Sequence, residues 1–118
     1  MVSLCLPAFA AVKTKEIKDL KTALKTKLPV VVKIGSDSCY PCRMMKPILK
    51  ELKKEQAGKI VFLDLDIYEN RELAKKYRVT LIPTVLFFNK HGEKKAQTEG
   101  FMSKADLLKM VKDLELNK

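Results

Sequence analysis

Two cysteines, Cys39 and Cys42, lie between a short β-branched run and an amphipathic helix, and this placement constrains the fold more than any other feature of the sequence. The run at residues 30–34 reads VVVKI, which is typical of a strand buried on both faces. The helical spacing of apolar residues predicts a helix over residues 40–56. A second apolar run at residues 60–65 completes a strand–helix–strand unit, which predicts that the two strands are parallel.

The remaining segments predict a hairpin and further helices. The predicted elements are helices at residues 15–27 and 69–77, strands at 84–88 and 94–98, and a last helix capped by Ser103. Gly92 lies in the turn between the last two strands, which indicates an antiparallel pair. The apolar stripe of the longest helix consists of Met44, Met45, Ile48, Leu49 and Leu52. Together, the parallel strand pair and the antiparallel hairpin favour an α/β fold, in which a central mixed β-sheet is flanked by helices on both faces.

The length and composition are those of one folded domain. The 118 residues are 47% hydrophobic and 32% charged, which is ordinary for a chain that folds around a core. The net charge is +10, but only Arg43, Arg71 and Arg78 supply the guanidinium groups best suited to phosphate and base contacts. We therefore predict no nucleic-acid binding and expect most lysines to lie on solvated helix faces. No run approaches the ~20 apolar residues of a membrane span, so none is predicted.

Residues 1–12 read MVSLCLPAFAAV and differ sharply from the lysine-rich sequence that follows. Ala8 and Ala10 form the small-x-small pattern of a signal-peptidase site, although no basic region precedes the apolar stretch. One interpretation is the remnant of a signal peptide, which would place the protein in the periplasm or elsewhere outside the cytoplasm. The other is a flexible tail or a first strand, with a cytoplasmic location. In either case the domain is expected at residues 13–118.

The position of Cys39 predicts a reactive thiolate. At a helix N-terminus, free backbone N–H groups and the helix dipole stabilise an anion, so the pKa of a thiol there falls below its ordinary value of about 8.5. Cys42 lies one turn further on, close enough to form a disulfide with Cys39. Pro41 fits the first turn, where no backbone donor is needed. The pair predicts thiol–disulfide exchange with Cys39 as the nucleophile and Cys42 as the resolving thiol, and a static disulfide or half of a metal site are the alternatives.

No metal ion or other cofactor is expected. A closed zinc site commonly has four Cys or His ligands, and Cys5 and His91 would have to complete the set from a tail and a turn. The cysteine pair can itself carry the two electrons of a disulfide exchange. The redox-active disulfide therefore stands in place of a cofactor.

Three features of the sequence resemble the thioredoxin family. Residues 38–47, SCYPCRMMKP, are similar to the active-site segment of the family, including the proline inside the helix. Residues 79–84, VTLIPT, resemble its cis-proline loop, and Gly100 falls where a glycine follows the last strand. The resemblance extends over residues 13–117 and implies a thioredoxin fold.

The resemblance also implies an activity and a substrate groove. The groove residues would be Tyr40, Pro41, Ile82, Pro83 and Gly100, with a cis bond before the second proline facing the cysteine pair. The implied activity is thiol–disulfide exchange on disulfide-containing protein substrates, by a monomer that an upstream protein reductant restores. Pro41 resembles the reducing members, so reduction of substrate disulfides is expected. The alternatives are an extracytoplasmic oxidant or isomerase and a redox-inactive binding module, and the intact cysteine pair argues against the module.

Several residues of the active-site segment depart from the family pattern. Ser38 and Gly35 stand where typical thioredoxins have tryptophan, which predicts a less aromatic groove. Tyr40 replaces the glycine of the common CGPC motif and adds a ring beside the nucleophile.

Lys33 and Asp64 form a further departure. Lys33 occupies the position of a buried aspartate that the family uses in proton transfer, and Asp64 the position where many members carry lysine. Both charges interrupt apolar strands, and each would lose hydration if it were buried without a partner. We interpret them as the same acid–base pair with its charges exchanged, in which Asp64 accepts the proton of Cys42 and Lys33 favours the thiolate. The alternative is that Lys33 extends to solvent and Asp64 faces water.

Overall fold

A computed structural model describes residues 17–118 of the protein, and the N-terminal segment 1–12 lies outside them. The described strands are β1 Val30–Gly35, β2 Val61–Asp66, β3 Thr84–Phe88 and β4 Lys94–Glu99, and the described helices are α1 Leu20–Leu24, α2 Tyr40–Glu55, α3 Arg71–Lys76 and α4 Lys104–Asp113. The strands form one sheet in the order β2–β1–β3–β4. β1 and β2 are parallel, whereas β3 is antiparallel to both β1 and β4. The predicted mixed sheet and hairpin are confirmed.

Helices cover both faces of the sheet. Because side chains alternate between the two faces and both are covered, every residue of β1 and β3 is buried. One apolar core lies between the sheet and helices α2 and α4, and its members include Val31, Phe87, Leu49 and Leu107. The other lies on the opposite face, and its members include Val32 and Phe88 with Leu20 of α1. This arrangement confirms the predicted α/β layers.

The first helix is shorter than predicted. Of the helix expected over residues 15–27, only Leu20–Leu24 is helical among the described residues. The Thr26 hydroxyl donates a hydrogen bond to the Ala23 carbonyl, and Lys27 adopts a positive φ of 64°. This hydrogen bond and the positive φ end the helix before β1 begins.

Met44 also differs from its prediction. It is 43% exposed, whereas Met45, Leu49 and Leu52 of the same helix are buried. Successive residues of a helix are separated by about 100° around its axis. Because Met45 faces the core, its neighbour Met44 faces solvent near the start of α2.

The sheet brings two distant segments of the chain to one edge. β1 ends at Gly35, shortly before the cysteine pair, and β3 begins at Thr84, directly after Pro83. Because these strands are antiparallel and Ile34 pairs with Thr84, the end of β1 lies beside the start of β3. The cysteine pair and the proline loop therefore meet at the same edge of the sheet.

Candidate active site

The two cysteines lie at the start of α2 and are joined by a disulfide, with 5.2 Å between their Cα atoms. Cys39 caps the helix, because its Sγ accepts a hydrogen bond of 3.3 Å from the backbone N–H of Cys42. Pro41 lies in the first turn, as predicted. Cys39 is partly exposed, whereas Cys42 is fully buried. Of the two sulfurs, only that of Cys39 is open to another molecule.

The proline loop faces this disulfide. The bond between Ile82 and Pro83 is cis, as the resemblance implied. The Cys39 Sγ lies 3.9 Å from the carbonyl oxygen of Ile82. Gly100 joins the same corner, because its backbone N–H donates to the Pro83 carbonyl over 2.8 Å. The fold thus brings the predicted groove residues of the two loops to the exposed side of the cysteine pair.

Exposed apolar side chains surround this corner. Tyr40 is 65% exposed beside the nucleophile, and Leu81 and Phe101 are 59% and 43% exposed. Sequence reasoning missed the last two, although each is the direct chain neighbour of a predicted groove residue, Ile82 or Gly100. That adjacency was the available signal. A patch of this kind on a small protein commonly marks a contact surface.

Gly35 has a structural importance that the sequence did not reveal. A Cβ atom placed on it would lie 2.6 Å from the Cys42 Sγ and 3.1 Å from the Cε of Lys33. Such distances are below van der Waals contact, so any larger residue would displace the buried cysteine. Glycine is therefore what allows the start of α2 to pack closely against the end of β1.

Lys33 and Asp64 lie behind the disulfide and form an ion pair. The two residues are directly opposite in the parallel β1–β2 register, and the Lys33 Nζ lies 2.9 Å from the Asp64 Oδ1. Lys33 is 1% exposed and also donates a hydrogen bond of 3.0 Å to the backbone carbonyl of Cys42. The predicted pairing is confirmed, and the alternative in which Lys33 extends to solvent is wrong.

Lys46 connects this pair to the loop before Cys39. Its Nζ lies 3.6 Å from the Asp64 Oδ2 and 3.2 Å from the Asp37 Oδ1. The pKa of Lys46 is raised, first by the hydrogen bond to Asp37 and then by the negative charge of Asp64. These side chains line an open, mainly polar cavity of about 440 Å³, into which the 22% exposed Asp64 faces. Asp64 therefore has contact both with the buried lysine and with solvent.

Within residues 17–118, no three Cys, His, Asp or Glu side chains are grouped so as to hold a metal ion. No helix in that part of the chain is long and apolar enough to cross a membrane. His91 lies in the turn between β3 and β4, where its Nε2 is 2.8 Å from the backbone oxygen of Lys118.

Known proteins are similar to this chain in sequence and in fold. The sequence model of the family described as Thioredoxin matches residues 11–113. A thioredoxin of Rickettsia bellii is 40% identical over 88 residues, which are 75% of this chain and 83% of that protein. A chloroplastic M-type thioredoxin of Pisum sativum is 47% identical over 83 residues, which are 70% of this chain and 48% of that protein. A solved structure described as a malarial protein has a TM-score of 0.67 and 26% identity, and it covers 73% of this chain and 96% of the other.

The match covers the parts of the chain that form the site. It includes the capped cysteine pair and the cis-proline loop, which the fold places at one edge of the sheet. The CYPC sequence, the disulfide and the relatives named thioredoxin all point to the same chemistry. The chain belongs to the thioredoxin family of thiol–disulfide oxidoreductases.

Proposed function

We propose that this protein reduces disulfide bonds of protein substrates. The observation that carries the proposal is a partly exposed Cys39 at the start of a helix, paired with a buried Cys42 within disulfide distance. The Cys39 thiolate attacks the substrate disulfide, so a mixed disulfide forms and the first substrate sulfur leaves and takes up a proton from water. Cys42 then attacks the Cys39 sulfur, which releases the second substrate thiol and leaves the enzyme oxidised. An upstream dithiol protein returns two electrons to the pair.

The substrate chain is proposed to lie over the corner that faces Cys39. The backbone of Ile82 and the ring of Pro83 would contact it on one side, with Gly100 next to Pro83. Tyr40 and Pro41 would contact it on the other side, at the start of α2. An extended chain that carries apolar side chains next to its disulfide would fit this exposed apolar rim.

We propose that Asp64 and Lys33 manage the proton of the resolving thiol. Cys42 must lose its proton before it attacks, and it is fully buried. Asp64 would take up that proton and pass it to the open cavity. Lys33 would hold the carboxylate in place through its 2.9 Å contact and favour the thiolate with its positive charge.

Asp64→Asn is expected to slow release of the mixed disulfide by about tenfold to a hundredfold near neutral pH, because an amide cannot take up the proton. Stopped-flow measurement of the release step, with a chromogenic model disulfide between pH 6 and pH 9, tests this. Asp66→Asn is the matched control, since Asp66 lines the same cavity and lies outside the ion pair with Lys33. Equal release rates in the two variants would rule out the proposed role of Asp64.

The direction of electron flow has its own measurement. We expect the Cys39–Cys42 couple to have a reduction potential of about −270 mV or lower, as for a thioredoxin-like reductant. Equilibration with defined thiol–disulfide buffers measures it, and about 30 mV corresponds to a tenfold change in the equilibrium constant. A potential of about −120 to −180 mV would instead assign the protein as an oxidant or isomerase.

The small-x-small pattern within residues 1–12 favours a site of action outside the cytoplasm. This location stays a prediction, because that segment lies outside the described residues.

A further inference from the structure

Arg43 places a positive charge beside the nucleophile. Its backbone N–H donates to the Cys39 carbonyl over 3.0 Å, so it lies one helical turn after Cys39. Long side chains on a helix point back toward its N-terminus, here toward the turn that holds the disulfide. The guanidinium carbon lies 5.6 Å from the centre of the Tyr40 ring, and Nη1 donates a hydrogen bond of 3.1 Å to the backbone oxygen of Asp37.

These two contacts hold the guanidinium without neutralising it. Tyr40 and the Asp37 backbone orient the planar group. Less conformational entropy is therefore lost when a ligand binds to it. The Asp37 carboxylate is paired with Lys46. Within residues 17–118, no carboxylate lies within salt-bridge distance of Arg43. The remaining N–H donors are therefore available to a carboxylate from another molecule.

The surroundings of Arg43 favour an acidic substrate. Three exposed side chains of this rim are apolar, namely Tyr40, Leu81 and Phe101. The exposed Asp37 carboxylate nearby is paired with Lys46. A positive charge without a carboxylate partner discriminates between substrates by sign, because it repels a lysine of the substrate and attracts an aspartate or glutamate. The net charge of +10 acts in the same direction at longer range.

We propose that Arg43 selects substrates that carry an aspartate or glutamate next to their disulfide. The carboxylate would accept hydrogen bonds from the guanidinium fork while the adjacent cystine sulfur approaches Cys39. This inference rests on the proposed reductase function and narrows its substrates to disulfides with acidic neighbours.

The test uses two peptides that each contain one disulfide and differ only in the residues beside it, which are glutamate in one and lysine in the other. With dithiothreitol as electron source, the wild type is expected to have a kcat/KM about tenfold higher for the acidic peptide. Arg43→Gln is expected to reduce this preference to about twofold. Lys50→Gln, on the same helix and with the same change in net charge, is expected to keep it. A general loss of Cys39 reactivity would lower both rates and leave their ratio unchanged.

Each outcome is decisive. A preference that survives in Arg43→Gln would overturn the proposal and assign the selectivity to the net charge of the protein. A wild type that reduces both peptides equally would also overturn it, while leaving the reductase function intact. A wild type that reduces neither peptide would reject the reductase function, and this inference with it.

Discussion

Replacing Cys39 with serine is expected to lower the rate of disulfide reduction by more than about a thousandfold, because it removes the one sulfur of the pair that a substrate can reach. A serine hydroxyl stays protonated near neutral pH and does not attack a disulfide. Cys42→Ser is expected to keep the first step and to accumulate the mixed disulfide, because nothing then resolves it. Precipitation of reduced insulin in the presence of dithiothreitol measures the first effect, and the mass of the trapped adduct measures the second.

Cys5→Ser is the matched control for loss of a thiol, since Cys5 is the one cysteine outside the Cys39–Cys42 pair and has no assigned role. It is expected to retain the wild-type rate. If the wild type and Cys39→Ser are both inactive, the protein is the redox-inactive binding module that the sequence left open. If Cys39→Ser retains activity, the nucleophile has been assigned to the wrong residue.

Asp64→Leu is expected to destabilise the folded protein by about 3 kcal/mol, because it leaves the ammonium of Lys33 buried beside an uncharged neighbour. Lys33 is 1% exposed, and in this variant its ammonium would keep the 3.0 Å hydrogen bond to the Cys42 carbonyl but lose the ion pair. Because Asp64 is 22% exposed, water can reach the lysine through the cavity, and the loss stays at the lower end of the range for a broken buried pair. Urea unfolding of the oxidised protein measures the change from the shift in midpoint.

The double variant Lys33→Met/Asp64→Leu separates charge burial from packing. It removes both charges while keeping side chains of similar volume, so it is expected to recover most of the stability lost in the single variant. A double variant as unstable as Asp64→Leu would show that lost packing, and not the unpaired charge, accounts for the effect. If the losses of unfolding free energy in Lys33→Met and in Asp64→Leu sum to the loss in the double variant, the two residues do not interact in solution.

The site could be predicted where its signal is local or follows from strand pairing. The reactivity of Cys39 follows from its place at the start of a helix, and the structure confirms that place and its disulfide with Cys42. The pairing of Lys33 with Asp64 was also predictable, because each charge interrupts an apolar strand of the same strand–helix–strand unit. The cis bond before Pro83 came from family resemblance rather than from the residues themselves.

The sequence by itself determined the order of strands and helices and the reactive cysteine pair, because these depend on spacing within a few residues. It also determined the mixed sheet, because a strand–helix–strand unit gives a parallel pair and a hairpin gives an antiparallel one. Only the tertiary structure decided that Gly35 lies against the buried sulfur, that Lys46 links Asp64 to Asp37, and that Arg43 is held over Tyr40. Those contacts depend on how closely α2 packs against the ends of β1 and β2 and on the rotamers that this packing allows. Close packing is a cooperative property of the whole core, so no short stretch of sequence encodes it.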